Sequence, residues 1–318
     1  MVYMPKQLHE SIKVRIVADT CADFTPEIAK SLNLDVIPFT YTLDGVEYVD
    51  DIWESQTPHE FYEKLRQGAK AQTAAVALGT YCEFFTECAK EGTPTVYLCF
   101  TAGLSSSYHA ACQAAQMVLE QYPEFELHVV DSCAPSATDM LLIIEAVRQR
   151  NHGLNASQLA EWANEAKNYL HGYFTLDNFD ALAAGGRIPP AAASIGGKLD
   201  IKPELSFDLE GALTLKGMNR GRKKALKSIL KDFSDNYSGD DILPLVIVST
   251  DAPKEEEWIE NQIRQMPGMR NVTIIHASVG PLIGSHVGPG MVGLGFWGID
   301  RRDTISISDK IARRVRNK

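Results

Sequence analysis

Through the first half of this 318-residue chain, short β-branched runs alternate with helix-forming stretches, and that alternation leaves few architectures open. A parallel strand cannot be reached through a tight turn, so strand, helix, strand repeated in this way predicts parallel strands joined by crossover helices. Val14 to Ala18 reads as the first strand. It ends in Asp19-Thr20-Cys21-Ala22-Asp23, after which Thr25-Pro26-Glu27 supplies an N-cap, a first-turn proline and an acidic first turn for a helix through Leu32. A strand is expected over Val36 to Leu43, with an Asp44-Gly45 turn and a return at Val46 to Val49 making a hairpin. Thr57-Pro58-His59-Glu60 opens another helix, with Glu60 placed as the capping-box partner of Thr57. Val96 to Phe100 is the next strand, emptying into Thr101-Ala102-Gly103-Leu104-Ser105-Ser106-Ser107-Tyr108 before an alanine-rich helix to Gln121. Leu127 to Val130 repeats the pattern, with helices at Thr138 to Arg150 and Ala156 to Leu170. Ligands collect at such strand-to-helix turns, where free N–H groups and the positive helix end favour an anion.

The second half has a different texture. Tyr173-Phe174-Thr175 reads as a strand and Ala181 to Ala184 as a short helix stopped by Gly185-Gly186. An alanine-rich helix to Gly197, strand pieces at Glu204 to Phe207 and Leu213 to Met218, and a helix from Arg220 follow. Beyond them come a buried strand at Leu245 to Ser249, a helix from Lys254 and a strand at Val272. Length favours two domains, and the change of texture places the boundary near residue 170, giving residues 1–170 and 171–318. Ser278 to Gly290 is dense in glycine and proline around a single imidazole, and is expected to be a rigid loop aiming His286.

Charge and motif content exclude several classes of function. A net charge of -10 argues against a nucleic-acid surface. No apolar run approaches the roughly 20 residues a bilayer span needs, and the first residues lack a signal peptide's apolar stretch, so a cytoplasmic location is expected. All six cysteines lie within the first 133 residues without the close pairs of zinc or redox motifs, and free thiols are expected. The eight histidines are scattered, and no glycine-rich nucleotide loop occurs, so no metal or cofactor is expected. The serine cluster permits a hydrolase, with Ser105 or Ser106 activated by His286 and Asp19 or Asp131, but no nucleophile-elbow pattern supports it. Lys216, Arg220, Arg222, Lys223, Lys224, Lys227 and Lys231 form a run without an acid, which is either a solvated face or a docking surface.

Six spaced motifs then resemble one family. Ala18-Asp19-Thr20-Cys21-Ala22-Asp23, Phe100 to Tyr108, Gly185-Gly186-Arg187-Ile188, Ile201-Lys202-Pro203, Arg220-Gly221-Arg222-Lys223-Lys224-Ala225 and Gly280 to Gly290 are together similar to the DegV family, in order from about residue 14 to residue 297. The resemblance implies an α/β fold of two domains, the first with a mainly parallel sheet flanked by helices and the second with a mixed sheet. A long-chain fatty acid such as palmitate would lie in a tunnel between them, presented to a separate kinase subunit that phosphorylates its carboxylate. This chain would then be the non-catalytic, lipid-binding subunit; a passive lipid carrier and a serine esterase are the alternatives. By the same resemblance, Thr73, Thr101, His286 and Arg187 surround the carboxylate, and Ala102, Ser105, Gly284 and Ser285 are further head-group candidates. Lys202, Arg220, Arg222 and Lys223 would meet the kinase. The chain departs from the family where Thr-Ser-Gln-Pro becomes Thr73-Ala74-Ala75-Val76 and Ser-Ser becomes Thr101-Ala102, each losing a hydroxyl. Leu-Ser-Gly-Thr-Tyr becomes Leu104-Ser105-Ser106-Ser107-Tyr108, which replaces a glycine.

Overall fold

The computed structural model describes residues 13–188, 192 and 201–303. The expected alanine-rich helix to Gly197 lies outside the described residues, apart from Ala192. In chain order, β1 (Arg15–Asp19) passes through a 3-10 turn at Thr20–Ala22 into α1 (Pro26–Ser31), whose N-cap Thr25 accepts from the Ile28 N–H. Then come β2 (Asp35–Ile37), β3 (Thr40–Leu43), β4 (Val46–Val49), α2 (Pro58–Arg66), β5 (Ala71–Ala74) and α3 (Leu78–Glu91). β6 (Thr95–Cys99), α4 (Ser107–Gln121), β7 (Leu127–Asp131), α5 (Ala137–Asn151) and α6 (Ala156–Ala166) follow. The expected capping box at Thr57 and Glu60 opens α2.

β2, β1, β6 and β7 form a four-stranded sheet in that order, with every pair parallel. The strand expected over Val36 to Leu43 is in fact two. Pro38 cannot donate to a ladder, so β2 ends at Ile37 and the chain leaves the sheet. Phe39 is held at the crossing by its N–H to Thr20 Oγ1 at 3.2 Å and by the Asp50 N–H to its carbonyl at 2.9 Å. β3 then starts a separate antiparallel sheet in the order β4, β3, β5.

From Leu170 the chain builds a second large sheet. β8 (Leu170–Thr175), α7 (Asp180–Ala184), β9 (Ile201–Phe207), β10 (Leu213–Arg220), α8 (Arg222–Asn236), β11 (Leu245–Ser249) and α9 (Pro253–Arg264) precede β12 (Ile274–Ser278), α10 (Pro281–Val287) and β13 (Val292–Trp297). The strand order is β10, β9, β8, β13, β11, β12; only β11 and β12 run parallel, so the sheet is mixed. The helix expected from Ala156 to Leu170 stops at Ala166, because Leu170 already begins β8.

α5 is the hinge of the architecture. Ten of its residues, from Ala137 to Val147, are buried on all sides, the mark of a helix inside a core rather than on a surface. Its residues pack on β8, β11 and β13, while its start meets the turn after β1. One apolar core therefore runs from Ile16 and Ala18 of β1 through Met140, Leu141 and Ile143 to Val246 and Val248 of β11. Each such fully buried aliphatic side chain contributes on the order of 1.5–3 kcal/mol. Glycine makes the approach possible: a Cβ on Gly295 would lie 2.8 Å from the Ala137 Cβ, so a side chain there would push α5 off β13.

Candidate functional site

Within the segment Ser278 to Gly290, Pro281–Val287 form a helix where a loop is expected throughout. Pro281 takes the first helical position, Gly280 the N-cap and Gly288, at φ 72, the C-cap, so the same residues that suggest a turn delimit α10 instead. Ser285 Oγ donates back to the Pro281 carbonyl at 2.6 Å within this helix. Gly284 leaves room for the Tyr62 ring, which a Cβ there would strike. His286 stands in the last turn, and the absent side chain of Gly185 makes space for its imidazole.

His286 Nε2 lies 2.8 Å from Thr73 Oγ1, joining α10 to β5 across 213 residues of sequence. Burial, and then the nearby Arg187 charge, push the His286 imidazole down to about 4, so the ring is neutral at physiological pH. Its buried Nδ1 has no hydrogen-bond partner among the described residues. A neutral imidazole has one N–H. If Nε2 donates to Thr73, the threonine hydroxyl proton is free; if Thr73 donates, the Nδ1 proton is free. Either way the pair keeps one unspent donor.

Beside this pair lies a cavity of about 110 Å³. Its walls are mostly apolar and come from both large sheets: Phe39, Phe100 and Leu104 on one side, Phe174, Phe207, Leu213 and Met291 on the other, with Leu282, Ile283 and Val287 from α10. Thr73, Arg187 and His286 belong to this lining and also border a more open groove of about 550 Å³, whose floor includes Lys70, Gln72, Ser285 and Pro289. The three polar side chains therefore stand at the mouth, where an apolar interior meets solvent. The guanidinium of Arg187, on the exposed rim, donates from Nη1 to the Gly185 carbonyl at 2.5 Å and from Nε to the Leu104 carbonyl at 3.4 Å.

The remaining sequence candidates divide. Ser105 lines the cavity, but its hydroxyl is engaged with Ser107 Oγ at 3.0 Å. Thr101 is fully buried and faces the 208–212 turn, where its hydroxyl approaches the Gly211 carbonyl at 3.3 Å and accepts from the Gly103 N–H at 3.0 Å. It is not among the cavity-lining residues, and the reason is local: the hydroxyl secures its own loop. The Ala102 N–H donates to Asp131 Oδ1 at 3.2 Å, away from the mouth. Gly284 and Ser285 serve α10 and the outer groove as described. The hydrolase arrangement is not assembled, since His286 meets Thr73 rather than a serine and Asp19 is bound to the Tyr97 hydroxyl and the Phe100 N–H.

On the far side of the mouth, Lys202 Nζ pairs with Asp177 Oδ1 at 2.9 Å, and Arg222 reaches Asp177 at 4.0 Å and Glu255 at 3.6 Å while donating to the Gly290 carbonyl. Arg222 thus braces the turn after α10, and Lys202 is tied to Asp177. Arg220, Lys223, Lys224 and Lys227 stay exposed. All six cysteines are free thiols. Among the described residues no group of three or more His, Cys, Asp or Glu is placed to hold a metal ion, and no helix is long and apolar enough to cross a membrane.

Sequence reasoning named the polar mouth but not the cavity walls. Phe39, Phe100, Phe174 and Phe207 carry no signal separating a cavity lining from an ordinary core, because both ask only for buried apolar side chains. α3 had a readable signal in Tyr81, Phe84, Phe85 and Cys88, at helical spacing on one buried face.

An α/β protein with a parallel and a mixed sheet, an apolar cavity between them and a polar mouth is what the geometry defines. A family profile described as "Uncharacterised protein, DegV family" matches residues 13–298, and the chain belongs to the DegV family. A DegV domain-containing protein of Clostridium perfringens is 32% identical over 286 residues, covering 90% of this chain and 98% of the relative. Among solved structures, a DegV family protein from Thermus thermophilus, described as fatty-acid binding, superimposes with a TM-score of 0.78 at 23% identity, over 90% of this chain and 100% of that one. The fatty acid kinase (Fak) B3 protein of Streptococcus pneumoniae, loaded with linoleic acid, gives a TM-score of 0.75 at 21% identity, over 90% of this chain and 99% of that one.

Proposed function

We propose that this protein binds one long-chain fatty acid in the inner cavity and presents its carboxylate, at Thr73, His286 and Arg187, to a separate kinase subunit for acyl-phosphate formation. The observation that carries this reading is the sharing of those three residues between an apolar interior and an open groove. An acid with its tail inside and its head at the mouth satisfies both surfaces. The solved relatives described as fatty-acid binding and as a fatty acid kinase component support it.

Energetics divide the labour. About fifteen methylenes buried at roughly 0.8 kcal/mol each contribute up to about 12 kcal/mol before the entropy of association. The tail therefore governs retention. An ionised carboxylate withdrawn from water without partners costs several kcal/mol, and one unspent donor from the Thr73 and His286 pair, with the Arg187 charge nearby, offsets much of that. About 110 Å³ is less room than the roughly 150 Å³ cavity that admits a benzene ring, so a full acyl chain must turn the lining side chains, Phe174, Phe207 and Met291 among them, to enter.

In this reading the two units, residues 1–170 and 171–318, clasp the chain between them, and the protein itself performs no chemistry. Thr101, Ala102 and Ser105 shape the loop behind the mouth rather than touching the head group. The exposed part of the basic segment, Arg220 and Lys223 with their neighbours, docks the acidic or phosphate-bearing face of the kinase, while Arg222 holds the α10 turn and Lys202 is paired with Asp177. Mass spectrometry of the purified protein under native and denaturing conditions tests the core of the proposal. One fatty acid of roughly 14 to 18 carbons released per chain is expected from the methylene arithmetic; a polar metabolite or no small molecule would overturn it. Addition of a fatty acid kinase subunit and ATP then separates presentation from passive carriage, because a carrier yields no acyl phosphate.

A further inference from the structure

The three-stranded sheet ends on an open strand. β4 pairs with β3 alone, and all four of its residues are exposed, which holds for no other strand among the described residues. Three of them are large and apolar: Val46 is 55% exposed, Val49 48% and Tyr48 39%. The other edge strands are covered or blunted. β2 is buried at each residue, β7 and β12 are mostly half-buried, and β5 lies against α10. β10 carries a bulge between Leu215 and Gly217 together with exposed Lys216 and Arg220, devices that discourage further pairing.

The backbone of β4 is ready to pair. Asp44 at φ 50 and Gly45 at φ 82 make a two-residue hairpin turn, so Leu43 and Val46 exchange hydrogen bonds and the ladder alternates from there. The Asp50 N–H, donating to the Phe39 carbonyl at 2.9 Å, keeps the same phase at the other end. Val46 and Tyr48 therefore turn their N–H and C=O groups to β3, and Glu47 and Val49 turn theirs outward. The side chains of Val46 and Tyr48 share a face with their partners Leu43 and Tyr41, which pack with Phe61 and Tyr62 of α2. Tyr48 stacks on Tyr41 at 5.4 Å, but α2 does not reach far enough to bury it. A strand added to this edge would find an apolar shelf on one face.

Charge selects the occupant. Between Lys30 and Lys64 the chain has no lysine or arginine. Asp44 and Glu47 are exposed on the hairpin, and Gln56, hydrogen-bonded to the Tyr41 hydroxyl, holds the bend that carries Asp51 and Glu54 against the same sheet. The next cations along the chain, Lys64, Arg66 and Lys70, stand in the last turn of α2 and before β5, and Arg66 is paired with Asp251. We propose that the outer edge of β4 is a docking site for a partner protein, which adds one extended basic segment to the sheet. Its apolar side chains meet Val46 and Tyr48 on one face, and its lysines or arginines meet Glu47 on the other. A second copy of β4 is the poorer occupant, because its acidic rim would face its own charge.

The probe is an acetylated and amidated peptide, Lys-Val-Lys-Tyr-Lys-Val-Lys, added to the full chain. Two control peptides accompany it, one with glutamate for every lysine and one with proline for the tyrosine and the lysine after it. Amide hydrogen exchange is read residue by residue. The basic peptide should slow exchange at Glu47 and Val49 by roughly tenfold or more and leave Val46 and Tyr48, already bonded to β3, unchanged; the controls should slow neither. Val49→Pro removes one outward N–H without touching the β3 ladder and should weaken binding about fivefold, the worth of one hydrogen bond. Glu47→Lys should reverse the preference towards the acidic peptide. Equal binding of the proline peptide, or unchanged affinity in Val49→Pro, would reduce the effect to general attraction by an acidic surface and overturn the proposal. Should Val49→Pro unfold the hairpin, Glu47→Lys and the proline peptide decide the same question. Slow exchange at Glu47 and Val49 before any peptide is added would also overturn it. Sedimentation velocity would then assign the cover: a dimer that Val49→Pro dissociates is a second copy, and a monomer is another part of this chain. None of these outcomes depends on the fatty acid reading.

Discussion

The inner cavity and the outer groove share Thr73, Arg187 and His286 but little else. The cavity is small and walled mostly by phenylalanine, leucine and methionine; the groove is five times larger, at about 550 against 110 Å³, and adds Lys70, Gln72 and Ser285 to a lining otherwise of small and apolar residues. Burial free energy belongs to the first, and access to the second. If the proposed function holds, retaining the acid and presenting its carboxylate are separable tasks, and substitutions on either side of the mouth should fail differently.

The largest effect is expected inside. Leu282→Asp places an unpaired carboxylate in the cavity wall, at a cost of several kcal/mol, and should abolish acyl retention by a hundredfold or more. Equilibrium binding of a fluorescent fatty acid checks it, and unchanged binding would mean that the tail lies elsewhere. Next come the mouth residues. His286→Ala or Thr73→Val removes a donor that orients the carboxylate, whose lost hydrogen bond water can replace at the open mouth, so kinase-coupled phosphorylation should fall at least tenfold while retention, governed by the buried tail, changes by less than about threefold. Parallel losses in the two assays would collapse the distinction between the regions.

A smaller effect is expected on the outer face. Arg220→Glu with Lys223→Glu should weaken kinase association several-fold at low salt and less at high salt, because both side chains are exposed and their charges are screened. Arg222 is a poor choice for that test, since a glutamate there would oppose Asp177 and Glu255 and disturb the turn after α10. Thr101→Val should be the mildest for function: loss of the hydroxyl that receives the Gly103 N–H costs about 1 kcal/mol of stability, visible as a lower melting temperature, with phosphorylation retained.

Acid pH probes the mouth independently. His286 and His171 are both buried and both pushed down to about 4, so each favours the folded state only while neutral. The unfolded chain takes up their protons first, near pH 6.5, so stability should fall as pH drops from about 6.5 to 4. Thermal melts of His286→Ala should lose part of that slope and keep the share due to His171.

What the sequence discloses follows the same division. The parallel strands, the capped helices and the basic run are local patterns, readable because caps, prolines and β-branched runs act on their own neighbours. Thr73, Arg187 and His286 are recognisable by resemblance, but their meeting is a tertiary fact: 213 residues separate Thr73 from its partner. Local signals also mislead where context overrides them. Glycine and proline in Ser278 to Gly290 mark a turn in isolation, yet Tyr62 and Asp23 support a helix there. Pro38 breaks what reads as one strand, and β13, with Gly293 and Gly295 in its middle, gives no strand signal because its glycines answer to α5 and to β8 and β11 rather than to propensity. Thr101, placed at the head group by resemblance, has its hydroxyl bonded to the Gly103 N–H of its own loop, a local contact that the sequence does not announce.

The account stands on a carboxylate held at the mouth, and a fatty acid labelled with carbon-13 at its carboxyl reports that position directly. Its bound resonance should differ from that of the free acid and shift in both His286→Ala and Thr73→Val while staying unchanged in Thr101→Val. A carboxyl resonance insensitive to His286 and Thr73 would contradict it.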